Sequence, residues 1–305
     1  MPNSSFLTLH SSFVEDTFAE AFAMWGARVI ITADSPAWAA TAAASMTGFA
    51  TSIIGCKCEA GVERDWAPDD TPDGRPGVSV LMFAMDAESL GKRLTERIGQ
   101  CVLTCATTAC FNGLEATDRV DVGGRLRYFG DGYQISKVLW GRRFWRLPVM
   151  DGEFLIEEEF GVQPAVGGGN LLILGSDLPA TLRATEAAVR SMRQVRGAIL
   201  PFPGGLVRSG SKIGSRYKAV PASTNDAYCP TLRGLVPETR LPAEVGCVLE
   251  IVIDGLTLDA VRECMRRGLH AAAENGALGV TAGNYGGELG QFHIRLGDLL
   301  DERET

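Results

Sequence analysis

A chain of 305 residues, 46% hydrophobic and 22% charged, is long enough for two well-formed cores and has the balance of an ordinary globular protein. Its net charge of −8 speaks against general nucleic-acid binding, because neutralising phosphates calls for a basic excess and clustered Lys and Arg. The 24 Arg against 5 Lys fit a GC-rich coding sequence better than a recognition task.

The first residues, "MPNSSFLTLHSSFVEDTF", lack the basic start and continuous apolar core of a secretory signal. The longest charge-free run, Ser35 to Cys56, is too rich in Ser, Thr and Gly to serve as a bilayer span. These features predict a cytoplasmic protein with no membrane partner. In chain order, "ARVIITA" reads as a strand and Ser35 to Met46 as a helix, with Ser35 as N-cap and Pro36 at the first helical position. "TSIIGCKCEAGV" and "GVSVLMFAM" read as strands, Asp86 to Gln100 as a helix and "CVLTC" as a strand.

The second half repeats the scheme. Strand "NLLILGS", helix Leu178 to Val195 and strand "GAILPF" are followed by strand "CVLEIVID", helix Thr257 to Glu274 and strand "LGVTAGN". Each half reads β-α-β, link, β-α-β, so the expected fold class is α+β: a duplicated ferredoxin-like (split β-α-β) sandwich of two lobes. The expected division is residues 1–150 and 151–305, the second lobe carrying a long loop insertion over 201–245. A loop of that length in a compact fold is usually functional or disordered. "APDDTPDGRPG" is a second turn-rich loop.

The eight cysteines lie mostly in strand-like apolar patterns and read as reduced, buried thiols. That reading is preferred to a metal site at Cys56-x-Cys58 or Cys101-x3-Cys105-x4-Cys110, and His10, His270 and His293 have no ligand spacing. The loop "PFPGGLVRSGSKIGS" is rich in Gly and Ser but does not match a nucleotide P-loop, and no helix pattern follows it. A ligand-covering loop suits it better. "AVGGGN" and "AGNYGGELG" carry little by themselves. With three histidines and no legible Ser-His-Asp or Cys-His set, enzyme chemistry here has to rest on positioning and on carboxyls. One carboxyl stands out. Glu250 sits inside "GCVLEIVIDG", where alternation puts Val248, Glu250 and Val252 on one face and Leu249, Ile251 and Ile253 on the other. A carboxyl there is paired, reaches a cleft, or keeps its proton.

Taken together, "FVEDTFAEAF", "TPDGRPG", "ERIGQCVLTC", "YFGDGY", "PFPGGLVRSGSKIGS", "ASTN", "LEIVIDG" and "AGNYGGELG" resemble the formylmethanofuran:tetrahydromethanopterin formyltransferases, from about Phe13 to Leu296. The resemblance implies two ferredoxin-like lobes, a homodimer or homotetramer, and no metal or prosthetic group. Methanofuran and tetrahydromethanopterin would be coenzyme substrates, and a formyl group would pass between the methanofuran amine and pterin N5 in a ternary complex. It also implies a buried glutamate protonated before reaction, carried by motif order to Glu250 as the catalytic residue. Glu244 in "LPAEV" is the nearest competitor, with a loop setting less suited to burial. Ser209, Ser211, Lys212, Asn225, Asn284 and Tyr285 become candidates for lining the coenzyme clefts, with Lys212 and Arg208 facing phosphate or glutamyl carboxylates. The Arg-rich, moderately acidic composition resembles the bacterial branch, which implies membership of a formyltransferase/hydrolase complex with an amidohydrolase partner. Two other readings stand beside it: a non-catalytic, carrier-binding or organising component of such a complex, and a nucleotide-binding module.

Overall fold

The computed structural model describes residues 6–139 and 141–301. Its principal elements in chain order are β1 (Phe6–Leu9), β2 (Ser12–Glu15), β3 (Phe18–Thr32), α1 (Pro36–Thr47), β4 (Glu59–Trp66), β5 (Gly77–Ala84), α2 (Ala87–Arg97), β6 (Ala109–Asn112), β7 (Arg142–Val149) and β8 (Gly152–Glu157). These are followed by β9 (Glu159–Gly175), α3 (Leu178–Met192), β10 (Ala198–Ile199), β11 (Cys247–Gly255), α4 (Leu258–Glu274), β12 (Gly279–Thr281) and β13 (Phe292–Arg295).

The fold is mixed α+β, built on one large, mostly antiparallel sheet. In the first half the strands lie in the order β6-β3-β5-β4, each pair antiparallel, and in the second half in the order β12-β9-β11-β10. Both orders place the fourth strand of a β-α-β-β-α-β unit next to the first, and the third between first and second. Helices α1 and α2 cover one face of the first set, burying Ala39, Ala42, Met46, Leu90 and Leu94 against Val29, Ile31, Val80 and Met82. Helices α3 and α4 do the same in the second, with Ala184, Ala188, Val261, Met265 and Leu269 on Leu171, Ile173, Ile251 and Ile253. Each helix starts at a side-chain cap: Ser35 accepts from Trp38 N–H, Asp86 from Ser89, Asp177 from Ala180 and Thr257 from Ala260.

The halves are joined by main chain. β3 and β9 are the longest strands, and they pair antiparallel from Phe22 opposite Gly167 to Gly26 opposite Gln163. Hairpins exchange sides as well. β1 and β2 precede the first half in sequence, yet β2 pairs parallel to β12 in the second. β7 and β8 extend the first half through a parallel pairing of β8 with β6, so a division between residues 150 and 151 passes through the turn of one hairpin.

Several expected strands differ. "CVLTC" is not a strand: Ile98–Val102 prolongs α2 as a wider turn, and the strand comes later as β6. Ile98 and Val102 are both buried, and their spacing of four serves one helix face as readily as a strand core. Within "TSIIGCKCEAGV", Ile53–Cys56 forms a helical turn closed by left-handed Lys57, and the strand starts at Glu59. "GAILPF" pairs only at Ala198–Ile199, because Pro201 and Pro203 supply no ladder N–H.

Between the halves, Met24, Leu81, Phe83 and Leu114 pack with Ala165, Ile199 and Leu256. Phe83 is fully buried there, and Phe83→Ala should cost about 3–5 kcal/mol. All five tryptophans precede residue 150, so fluorescence reports the first half while far-ultraviolet circular dichroism reports both. Urea transitions followed by the two signals should coincide in the parent and shift together in the variant. Separate transitions in the parent would show that the shared strands do not couple the halves.

Candidate active site

Glu250 lies mid-strand in β11, with Ile251 and Ile253 turned to the helices and Glu250 turned to the opposite face. On that face cross-strand partners run in a row: Glu250 opposite Leu172 on β9, Leu172 opposite Thr281 on β12, and Thr281 donating to the Glu15 carboxylate on β2. The long insertion covers this face. Leu241 and Val245 bury against Leu172 and Leu174, flanked by Tyr228 and Val248. Val207, near the start of the insertion, clamps Glu250 through the main chain, donating its N–H to Glu250 O at 2.7 Å and accepting from Glu250 N–H at 2.9 Å.

The Glu250 side chain itself is partly buried, and its carboxyl has no hydrogen-bond partner among the described residues. Burial alone pushes its pKa up to about 7. Near neutrality a large fraction therefore carries a proton, and a neutral carboxylic acid can donate a hydrogen bond. Tyr285 stands within reach of this charge: burial, then Glu250, then Glu20 raise its phenol.

Glu20 has the opposite character. It is fully buried in β3, and burial by itself would raise it. Four backbone N–H groups outweigh that: Tyr285 (2.6 Å) and Gly287 (3.0 Å) donate to Oε2, and Leu289 and Gly290 (2.5 Å each) donate to Oε1. Its pKa is lowered, and the charged carboxylate organises the whole glycine loop. The loop can wrap the carboxylate because Gly286 and Gly287 take φ of +78° and +81°. Asn170 holds the loop's other end, donating to Gly283 O at 3.0 Å and accepting from Gly283 N–H at 2.5 Å.

The sequence matches the profile of the formylmethanofuran-tetrahydromethanopterin formyltransferases over residues 7–149, and the profile of that family's proximal lobe over residues 152–299. The chain belongs to this family. It is 56% identical over 295 residues to the formylmethanofuran–tetrahydromethanopterin formyltransferase of Methylobacillus flagellatus, covering 94% of this chain and 97% of that one. It is 55% identical over 305 residues to one of the subunits of the formyltransferase/hydrolase complex of Methylorubrum extorquens, covering 97% and 98%. Among solved structures, that complex from Methylorubrum extorquens with methylofuran superposes at a TM-score of 0.95, with 54% identity and 98% and 100% coverage. The formyltransferase from Methanosarcina barkeri gives 0.91, with 45% identity and 96% and 100% coverage.

Within this formyltransferase fold the sequence-derived candidates fall into two groups. Ser209 and Ser211 are exposed, just beyond the Val207 clamp, and their hydroxyls have no partner among the described residues. Lys212 opens a two-stranded ribbon with Ala222–Ser223 and is bound to Asp226 at 2.6 Å, so part of its charge is already neutralised. Asn225 is partly buried near Gly210. Arg208 is exposed. Asn284 spends its side chain on structure, donating to Thr17 Oγ1 at 3.1 Å and Phe18 O at 3.2 Å. Tyr285, 37% exposed, is the candidate brought nearest to Glu250 in electrostatic terms. Glu244 is exposed in a turn. Among the described residues no three His, Cys, Asp or Glu side chains are grouped to hold a metal, all eight cysteines are free thiols, and no helix is long and apolar enough to cross a membrane.

Sequence reasoning missed Glu20 and Asn170. Both carried a signal: each is a polar residue between small or apolar neighbours, Glu20 between Ala19 and Ala21 and Asn170 between Gly169 and Leu171, and "AGNYGGELG" offers more backbone N–H groups than its own turns can satisfy. Glu20→Gln replaces one acceptor oxygen with an NH2 group and leaves two loop N–H groups unpartnered, at about 1–3 kcal/mol each. Amide hydrogen exchange at residues 285–290 should accelerate and the melting temperature fall. Unchanged protection in the variant would mean that Glu20 does not hold the loop.

Proposed function

We propose that this chain transfers a formyl group between N5 of tetrahydromethanopterin and the amine of methanofuran, in one-carbon metabolism, with protonated Glu250 as the acid that receives the developing charge. The observation that carries the reading is a strand-borne carboxyl without a partner, raised to about 7 by burial, in a member of the formyltransferase family. When the amine attacks the formyl carbon, the carbonyl oxygen gains negative charge. A carboxylic acid already aimed at that oxygen stabilises the tetrahedral intermediate, and such a donor contributes about 10²–10³ in rate. Collapse of the intermediate then breaks the bond from the formyl carbon to the departing nitrogen, which takes up the proton given up by the attacking amine. The rest of the chemistry is positioning, for which the Val207 clamp and the Glu20-held loop are suited.

In the same reading Ser209, Ser211, Lys212, Asn225, Asn284 and Tyr285 border the coenzyme clefts. Arg208, which is exposed, supplies the less neutralised positive charge for anionic coenzyme tails than Lys212, which Asp226 engages. The two lobes, residues 1–150 and 151–305, are a duplicated ferredoxin-like fold, supported by the matching strand order of the halves. The chain works in the cytoplasm as a homodimer or homotetramer, with methanofuran and tetrahydromethanopterin as substrates and no prosthetic group. The similarity to a component of the Methylorubrum extorquens complex supports assembly into a formyltransferase/hydrolase complex alongside an amidohydrolase. A purely organising role would leave Glu250 without a task, and an assay of formyl exchange by the isolated chain would discriminate between the two.

Glu250→Gln keeps a donor of similar shape and should retain measurable turnover, whereas Glu250→Ala should lose about 10²–10³ in kcat. If both variants bound the coenzymes normally and were equally inactive, a general-base role would replace the donor role. The pH profile gives an independent reading. The active form is protonated, so parent kcat/KM should be level below pH 7 and fall about tenfold per unit above it. The Gln variant has no such proton to lose, and its alkaline limb should be absent. An alkaline limb of the same midpoint in the Gln variant would assign it to another group.

A further inference from the structure

Four residues along β11 from Glu250, on the same sheet face, Asp254 is fully buried. Its Oδ1 accepts the Gly168 N–H at 3.0 Å, but its buried Oδ2 has no donor among the described residues. What it meets is another carboxyl. Glu59, at the start of β4 in the other half of the chain, is 7% exposed, lies close enough to Asp254 for the two carboxyls to act on each other, and accepts the Ile53 N–H at 2.8 Å on Oε1. Burial comes first among the influences on both groups, followed for Asp254 by Glu59 and the Gly168 N–H, and for Glu59 by Asp254 and the Ile53 N–H. Among the described residues no basic side chain acts on either one. Both are raised, Asp254 strongly. Glu63, four residues further along β4, is the internal control. It too is buried, but Arg28 grips both its oxygens, Ser79 and Gly197 N–H add hydrogen bonds, and its pKa is lowered.

Two neighbouring buried carboxylates with no cation cannot both be ionised in a dry site, whereas one proton between them turns repulsion into a hydrogen bond. We propose that Glu59 and Asp254 share one proton at neutral pH, and that this pair is a positioning device for the Glu250 site that acts through the glycine bulge at 167–169. The route is short. Asp254 holds the N–H of Gly168, which takes φ of +79° where the β9–β11 register shifts. Asn170 Nδ2 donates to the C=O of the same glycine at 3.3 Å and to Gly283 O at 3.0 Å, at the root of the loop that carries Tyr285. Glu59 thereby lets the first half of the chain fix loop geometry in the second.

The positioning role rests on the proposed task of Glu250, but the proton itself can be counted without any turnover. An unfolded chain has released both protons well below neutrality, while the native pair retains one. Stability of the parent is therefore lost as pH rises, tenfold in the unfolding constant per pH unit for that proton. Asp254→Asn supplies the hydrogen bond from an amide and has no shared proton. Urea unfolding between pH 6 and 8 should show its dependence weaker than the parent's by tenfold per unit, with Glu250 contributing equally to both. Equal slopes would overturn the shared proton. For positioning, folded Asp254→Ala should lose exchange protection at residues 283–285 and at least about tenfold in kcat, with a smaller change in KM, and Asp254→Asn should restore most of both. If folded Asp254→Ala kept either the loop protection or the parent kcat, the positioning role would be overturned. Failure of Glu250 as the acid would leave the slope and exchange results untouched.

Discussion

Everything at the candidate site depends on the main-chain pairing of β3 with β9. Phe22 to Gly26 and Gly167 to Gln163 run past each other, and that crossing merges two four-stranded layers into one sheet. Side chains in a sheet alternate strictly, so a slip of one residue would turn every group over. With the crossing fixed, β3 delivers Glu20 beneath the glycine loop, β9 delivers Asn170 and Leu172, and β11 delivers Glu250 and Asp254 to the face away from the helices. No loop has to find its own place. The insertion and the 283–290 loop are laid onto a surface whose geometry is already set.

On that surface, acidity is decided by what the backbone offers. Glu20 and Glu63 are as buried as Glu59, yet Glu20 and Glu63 are held ionised while Glu59 is pushed toward its neutral form. The difference lies in donors: four N–H groups for Glu20, a bidentate guanidinium for Glu63, and a single N–H plus a second carboxyl for Glu59. Glu250 has none and rises to about 7. Burial raises every one of them, and hydrogen bonds to the anion then sort them. The anions serve as structure, and the uncompensated acid is the one the proposed function uses.

How much of this was legible in the sequence follows the range of the signals. Ser35 and the apolar spacing of four large helices are local, and those helices formed where expected. Alternation in "CVLEIVIDG" correctly put Glu250 opposite Ile251 and Ile253. The "CVLTC" error came from an apolar run that suits helix and strand alike, decided by packing of Ile98 and Val102 in the first core. Nothing local could reveal that Glu59 and Asp254 act on each other, because their proximity depends on two halves of the chain meeting. The same holds for Glu20, whose partners lie more than 260 residues away in sequence. The hairpin exchange of β1–β2 and β7–β8 is likewise a long-range pairing that no single window contains.

The role proposed for Glu250, an acid near pKa 7, sets a design conflict. Hydrogen bonds are the usual means of fixing a side chain, but any donor to this carboxyl would favour its anion and remove the proton the proposed reaction needs. The carboxyl therefore has to be positioned without being bonded. β11 meets that demand from both edges: Leu172 lies opposite Glu250 on one side and the Val207 main chain clamps it on the other, so the Cα is fixed while the carboxyl is left unpartnered. A residue in a loop such as Glu244 has no comparable backbone support and would need side-chain partners to stay in place. That is the physical reason for an acid in the middle of an apolar strand. Rigidity comes from the sheet, basicity from the oily surroundings, and the two are kept separate.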